Sequence, residues 1–488
     1  MQTAKVWYHM LMLPILVFFA VVFLTYSRLM FDSDLGWTLR IGAHTLQFGL
    51  AKTDPFSYTM PSYPFVDHEW LTHIIQYWLF SHGGAIAMGS VFALAMIAAI
   101  TISTRTKYTS WHIIHAMLLG SALLPQFIPK PSVLSLLYVA ILMTVLRSKN
   151  RRLSYALPPL FLVWANTHGG FLYGLGVYGL YEICAMISAR QFSRRSALLF
   201  VLCAGATLLN PYGWGMWTSV LESVRDPRLR LTVSEWMPAF MSIQVSLFFL
   251  LGLYVMLFVR MYKKLKLQER ALFIVTLAMG ITSSRNLPLW LVIAAPLATV
   301  SIEQIIAPLT KDVAAIERIK KALIGLFCIA SCILLYQVFF TTRTIILRNE
   351  NVFYPRAAIA YLDKNPCKAR VFTSYEWGGY YVWKNPNAKV FIDGRMPSWR
   401  QTARAGESTD ALADMYDMYA ARRPVSYYAK RYNIACFMLP TRLISPPAKS
   451  TPAQLKQTAL FRQDLLQHSH VVYQDSVATV LRYEKHSR

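Results

Sequence analysis

Apolar residues run along this chain in blocks that reach or approach the length of a bilayer crossing. They lie at 9–29, 84–103, 110–126, 132–146, 153–165, 170–188, 196–209, 243–260, 270–283, 287–307 and 321–341, against the roughly 20 residues a spanning helix needs. The block at 153–165 is short, so a tilted, broken or re-entrant segment is expected there. Between the first two blocks, residues 30–83 hold two amphipathic stretches, 34–48 and 68–82, joined by the turn-rich segment Thr53 to Pro64. Trp37, Trp70 and Trp78 suit these stretches to a membrane interface. Beyond residue 342 the pattern changes. Short β-like runs at 370–374, 389–393, 433–438, 470–474 and 477–483 alternate with helical stretches such as 353–363 and 408–422, which predicts one small sheet packed by helices. The expected fold is an α-helical polytopic membrane protein of about eleven spans. Residues 1–342 form its transmembrane domain, with the first outer loop at 30–83, and residues 343–488 a soluble α/β domain. No internal repeat or low-complexity tract is visible.

Composition agrees with this layout. Only 15% of the 488 residues are charged and 55% are hydrophobic, too little polarity to coat a soluble fold of this size. The net charge of +25 would suggest nucleic acid in a soluble protein, but no recognition motif accompanies it and the basic residues sit in short loops. With a cytoplasmic N-terminus, the inner loops carry Arg105 and Lys107; Arg147, Lys149, Arg151 and Arg152; Arg190, Arg194 and Arg195; Arg260, Lys263, Lys264, Lys266 and Arg270; and Lys311, Arg318, Lys320 and Lys321. The outer loops at 127–131, 166–169 and 284–287 hold only Lys130 and Arg285, the asymmetry of the positive-inside rule. An odd number of crossings then puts the tail outside the cytoplasm. No small-residue cleavage site follows the first block, so it reads as an uncleaved anchor. Of the six cysteines, Cys367 and Cys436 fall in the tail. An extracytoplasmic tail would permit their disulfide, but two lone cysteines are expected more often unpaired in a core.

Sorted by membrane side, the unusual polar residues collect outside. They are Asp32-Ser33-Asp34, Thr53 to Ser57, Asp67-His68-Glu69-Trp70, Asn166 to Gly170 around His168, Asn210 to Trp214, Glu235-Trp236, and Ser284-Arg285-Asn286. Carboxylates, histidines and an arginine at one membrane surface are what a reaction on a lipid-phosphate substrate needs. Asp32 or Asp34, at a helix end beside lipid, is placed to deprotonate an acceptor hydroxyl. Arg285, where basic residues are otherwise scarce, can bind a phosphate through its planar fork and neutralise charge on a leaving phosphate.

The stretch from Asp32 through Trp37, Arg40, Gly42, Gly49 and Thr53-Asp54-Pro55-Phe56-Ser57-Tyr58 to His68-Glu69-Trp70-Leu71 resembles the first outer loop of bacterial membrane glycosyltransferases of the GT-C superfamily. That superfamily includes oligosaccharyltransferases, protein O-mannosyltransferases and aminoarabinose transferases. The likeness extends to Asn210 to Trp214, Arg285 to Pro288, Trp377 to Tyr380, and Ile392 to Arg395. It implies a bacterial inner-membrane enzyme with a periplasmic or extracellular tail, moving sugar from a polyprenyl-phosphate donor to a glycan, lipid or protein acceptor. By the same resemblance Asp32 matches the catalytic aspartate, Asp34 is its neighbour, and His68 and Glu69 match the second acidic position. Thr38 departs from the pattern, since a histidine is expected after Trp37. The substrate-binding candidates are His68, His168, Arg285, Asn286 and Trp37, and the catalytic candidates Asp32, Asp34 and Glu69. Asp34 and Glu69 would hold a divalent cation, Mg or Mn, were one used.

Each feature has a plainer reading. Asp32, Asp34 and Asp67 suit helix caps, His168 a tight glycine turn, Arg285 a snorkelling anchor, and Asn210 to Trp214 a helix-ending turn. Trp377 to Tyr380 and Asp393 to Arg395 suit βα turns. The competing functions are a lipid-linked saccharide transporter, disfavoured by the scarcity of mid-span charge, and a non-catalytic envelope-assembly protein.

Overall fold

The computed structural model describes residues 2–106, 108–241, 245–309, 313–446 and 458–484. Lys107 and Lys311 of the basic clusters, and the first two residues of the block at 243–260, lie outside these. The chain is a multi-pass helical membrane protein with a small α/β part. By compactness it divides into two units, Met1–Arg28 with His82–Thr344, and Leu29–Ser81 with Ile345–Arg488. The sequence pattern groups loop 30–83 with the helical domain; in the structure, residues 29–81 pack with the tail.

All eleven apolar blocks fall on helices. Among the described residues, six helical segments are long and apolar enough to cross a membrane: Met12–Leu29, Trp70–Thr104, Phe171–Ala189, Val245–Lys264, Ser284–Pro308 and Ala315–Ile346. The remaining blocks form shorter helices, Thr109–Leu123, Ser132–Arg147, Leu157–Thr167, Arg194–Thr207 and Leu267–Thr282. Leu157–Thr167 has 11 residues, the short segment expected at 153–165. Bulky apolar side chains such as Leu94, Val201, Ile324, Leu335 and Phe339 stand exposed on this unit, as they do on helices whose outer faces meet hydrocarbon instead of water. Its interior is aromatic: Phe19 and Phe23 pack on Phe127, and Trp290 lies between Tyr254 and Phe273.

Both amphipathic stretches of the first loop are helical. The first is Leu35–Phe48. The second opens the segment Trp70–Thr104, whose backbone leaves helical geometry at Gly83 and Gly84. Gly84 has φ +62°, a conformation that glycine adopts without the steric penalty of a Cβ. This break separates the amphipathic part of the segment from its apolar part.

The tail holds a four-stranded sheet of order β1-β2-β4-β3. Its strands are β1 (Arg370–Thr373), β2 (Ile434–Pro440), β3 (Ser469–Gln474) and β4 (Ala478–Tyr483). β1 runs parallel to β2, and the other pairs are antiparallel. β1, β2 and β4 supply the buried face, with Phe372, Phe437, Met438, Leu439, Val480 and Leu481 in the core. Asp475 caps the β3-β4 turn by accepting from the amides of Val477 and Ala478. The run at 389–393 does not join the sheet. Val390 instead makes an isolated parallel bridge with Ser57 of the first loop, since the amide of Tyr58 donates to Val390 and that of Val390 to Phe56. Its edge is satisfied by the loop, and Asp393 is drawn away into an ion cluster described below.

The expectation of unpaired tail cysteines is overturned. Cys367, ahead of β1, is bonded to Cys436 in β2 across 69 residues. Parallel pairing of β1 with β2 brings the two together, which spacing alone could not indicate. A crosslink closing a loop of this length stabilises the fold by about 4 kcal/mol in the chain-entropy picture. Cys367→Ser is therefore expected to lower the unfolding free energy of the tail by that order, read as a lower denaturant midpoint in tryptophan fluorescence.

Candidate functional site

The acidic turn begins where the first helix ends. Asp32 accepts the amide of Asp34 on its Oδ1 at 3.1 Å, and the carbonyls of Asp32 and Asp34 receive the amides of Leu35 and Thr38. Asp34 occupies the N-cap position of helix Leu35–Phe48, but its side chain makes no capping bond. Its Oδ1 accepts from the indole Nε1 of Trp37 at 3.0 Å. Asp32, Asp34 and Trp37 all keep partial solvent exposure. Thr38 is buried and spends its hydroxyl on the carbonyl of Leu35.

A second carboxylate group lies across the Trp37 ring. Its indole meets the imidazole of His73 edge-on, with ring centroids 5.1 Å apart. His73 Nδ1 is 2.9 Å from Asp67 Oδ2, and its Nε2 is 3.3 Å from Glu69 Oε2. Asp67 also takes the amide of Glu69 on its other oxygen, an Asx turn just ahead of the helix, which the capping reading resembles and which uses only half of that carboxylate. His68 stands 3.9 Å from Glu69 Oε1 and is the more exposed of the two. Asp34, Trp37, His73, Asp67 and Glu69 thus form one continuous polar chain in the loop-and-tail unit. His73 was missed from sequence because it is a lone histidine on an amphipathic helix; the only available signal was its i,i+4 spacing from Glu69.

The tail motifs complete this unit. Arg395 is fully buried and lies between Asp54 and Asp393. It donates to both oxygens of Asp393 through Nε and Nη2 at 2.9–3.1 Å and pairs with Asp54 through Nη1. Asp54 also receives the amides of Phe56 at 3.1 Å and Ser57 at 2.9 Å. The rings of Phe56, Phe65 and Trp399 surround the guanidinium. Burial by itself would lower the pKa of Arg395, but the two carboxylates hold it above its ordinary value. Asp54 and Asp393 are therefore structural ions, and sequence could not pair them across more than three hundred residues.

Helix Tyr375–Lys384, which carries Trp377 to Tyr380, packs on helix Leu35–Phe48. The glycine pair is there for close approach, because a methyl on Gly379 would come within 2.9 Å of the Ser33 carbonyl.

The remaining candidates belong to the helical unit. His168 is buried in its turn, where Nδ1 accepts from the Gly170 amide at 2.9 Å and meets Ser135 Oγ at 2.6 Å; Ser135 in turn accepts from Trp164 Nε1. The plainer reading of a turn-organising histidine describes these contacts. Asn210 closes its turn by accepting the amide of Tyr212 and donating to Thr207, also as the plainer reading expects. Arg285 stacks on Trp236, 4.9 Å from the ring centre, and pairs with no carboxylate among the described residues. Asn286 donates to the carbonyl of Met279. The oxygen donors of Asp34 and Glu69 are of the kind a hard cation such as Mg or Mn takes. Among the described residues, however, no three His, Cys, Asp or Glu side chains are grouped as a metal site.

No family model matches the chain, and no curated protein matches it in sequence. Solved structures do match. The archaeal oligosaccharyltransferase AglB from Archaeoglobus fulgidus, in complex with an inhibitory peptide and a dolichol-phosphate, aligns over 99% of this chain and 75% of its own at 11% identity, with a TM-score of 0.63. The oligosaccharyltransferase of the same organism in its apo form gives 0.61 at 10% identity, over 97% of this chain and 74% of its own. ArnT from Cupriavidus metallidurans in the apo state gives 0.52 at 13% identity over 98% of both chains. At these identities the likeness is one of fold, the GT-C fold, over nearly the whole chain.

The ion cluster yields a stability prediction. Arg395→Met leaves two buried carboxylates without a countercharge and is expected to cost about 3–5 kcal/mol. Thermal unfolding of the detergent-solubilised protein would measure it. An unchanged midpoint would contradict the assignment of Asp54 and Asp393 as paired ions.

Proposed function

We propose that this GT-C-fold chain is an inverting membrane glycosyltransferase that takes a sugar from a polyprenyl-phosphate carrier on the side of the bacterial inner membrane away from the cytoplasm. The observation that carries this reading is the acidic turn Asp32–Trp37 at the end of the first apolar helix, joined by Trp37 and His73 to a second pair of carboxylates, within a fold shared with transferases of this kind. The matched oligosaccharyltransferase holds a dolichol-phosphate, which favours a lipid-phosphate donor here. The basic inner loops and the tail disulfide favour the assigned orientation, since disulfides persist in oxidising compartments.

In the proposed reaction the acceptor hydroxyl oxygen attacks the anomeric carbon while Asp32 receives its proton. The bond from that carbon to the carrier phosphate breaks, and the phosphate leaves with the electron pair. Arg285, with a planar guanidinium and no carboxylate partner among the described residues, is the candidate cation for binding a phosphate group. Trp37 and His68 contact the donor, and Asp34 and Glu69 complete the carboxylate set. The acceptor is a glycan, lipid or protein of the envelope.

Asp32→Asn keeps the shape and removes the base. Transfer from native lipid-linked sugars in isolated membranes is expected to fall by a factor of about 100 to 10,000, with the amount of protein in the membrane unchanged. Full activity of the variant would remove Asp32 from the chemistry. Mass spectrometry of envelope glycans and glycoproteins in a deletion strain, set against its parent, would identify the acceptor; identical profiles would argue against transfer altogether. Reporter fusions at residues 60 and 400 are expected to read as non-cytoplasmic, and a cytoplasmic signal from either would break the proposed orientation.

A further inference from the structure

Asp34 is held from the tail side by backbone. Gly394 sits against it so closely that a methyl group there would overlap Asp34 Oδ1 and come within 3.0 Å of Trp37 Nε1. These are the two atoms of the Asp34–Trp37 hydrogen bond. On the neighbouring tail helix, a methyl on Gly379 would reach 2.9 Å from the Ser33 carbonyl and 3.1 Å from Trp37 Cδ1. Two glycines from separate tail motifs therefore close on the one acidic turn, at Ser33, Asp34 and Trp37.

The segment that presents Gly394 is itself immobilised. Its flanking residues, Asp393 and Arg395, are both buried in the ion cluster with Asp54 of the first loop. The bridge between Ser57 and Val390 ties the same segment to that loop. Asp34 is coupled in turn to Asp32, whose Oδ1 accepts the Asp34 amide. Contact thus runs from the buried ions through Gly394 to Asp34, and from Asp34 to Asp32.

We infer that Gly394 and Gly379 are positioning residues for the acidic turn. The tail is then a working wall of the site, and the ion cluster is the anchor that sets the Asp32 and Asp34 carboxylates. The catalytic part of this inference rests on the transfer reading above; the positional part does not.

Gly394→Ala and Trp37→Phe in the full-length protein test it. Alanine crowds the Asp34–Trp37 hydrogen bond, and phenylalanine deletes the donor while leaving an aromatic ring. Hydrogen exchange is read at the amides of residues 34–38 and, for comparison, in strands β2 and β4. Both variants are expected to exchange about tenfold faster in the turn, the effect of one lost hydrogen bond on local opening, with the strands unchanged. In a transfer assay kcat of Gly394→Ala is expected to fall by about 100-fold, the scale of a misplacement near 1 Å, while its KM for the lipid donor stays within a factor of two or so. Unchanged exchange in the turn, or faster exchange throughout the sheet as well, would overturn the inference. Should Gly394→Ala fail to accumulate, Trp37→Phe decides it by the exchange readout alone. A parental protein that transfers no sugar would defeat the transfer reading, and the exchange data would still decide the positioning role.

Discussion

The guanidinium of Arg395 is buried between carboxylates contributed by Asp393, its near neighbour, and Asp54, 341 residues away. Removing three charges from water is costly, and the cost is offset only where hydrogen bonds saturate the group. Here they do so through both oxygens of Asp393 and through Asp54, whose own oxygens take two backbone amides. Three aromatic rings exclude water from the assembly. The consequence is a constraint on folding: residues 29–81 and the tail must come together, because Asp54 of the loop can be buried only against Arg395 of the tail. The bridge at Ser57 and Val390 and the hydrogen bond from Tyr58 to the carbonyl of Val371 follow from that docking.

The acidic side chains of the loop and the tail segment beside it divide by what they are used for. Asp54 and Asp393 are consumed by the ion cluster. Asp67 is shared between an Asx turn and His73. Asp32 and Asp34 keep partial exposure, and Glu69 is only partly buried. Chemistry on a substrate needs a carboxylate that is both fixed and reachable. Fully buried Asp54 is fixed but cannot be reached, whereas a solvated surface aspartate would be reachable but not fixed. Asp32 and Asp34 meet both conditions, because a hydrogen-bonded turn defines their geometry while one side stays open.

The polar turns of the helical unit follow the same logic more weakly. His168 and Asn210 satisfy the backbone at the ends of helices, where carbonyls and amides would otherwise lack partners. Arg285 differs from them, since its contact is an aromatic face and a stacked guanidinium still offers its donors. The similarity to solved GT-C structures, at 10–13% identity over nearly the whole chain, shows that this helical layout tolerates almost complete change of sequence. Apolar helices facing lipid need only be apolar and long enough.

Properties set by local periodicity could be read from the chain directly. The eleven helical blocks, the two amphipathic helices around Leu35 and Trp70, and four of the five tail strands needed only the spacing of apolar residues and the turns between them. The acidic turn could be singled out because Asp32 and Asp34 interrupt the end of a long apolar run. What sequence could not reveal is every feature made by residues far apart: the disulfide of Cys367 with Cys436, the pairing of Asp54 with Arg395, the loss of 389–393 from the sheet, and the closure of Gly394 on Asp34. Each of these is decided by which surfaces meet once the helices and strands exist. His73 shows the boundary most sharply, because its spacing from Glu69 was visible while its burial beside Asp67 and Trp37 was not. Periodicity is a property of the chain, but desolvation and close approach are properties of the packed molecule.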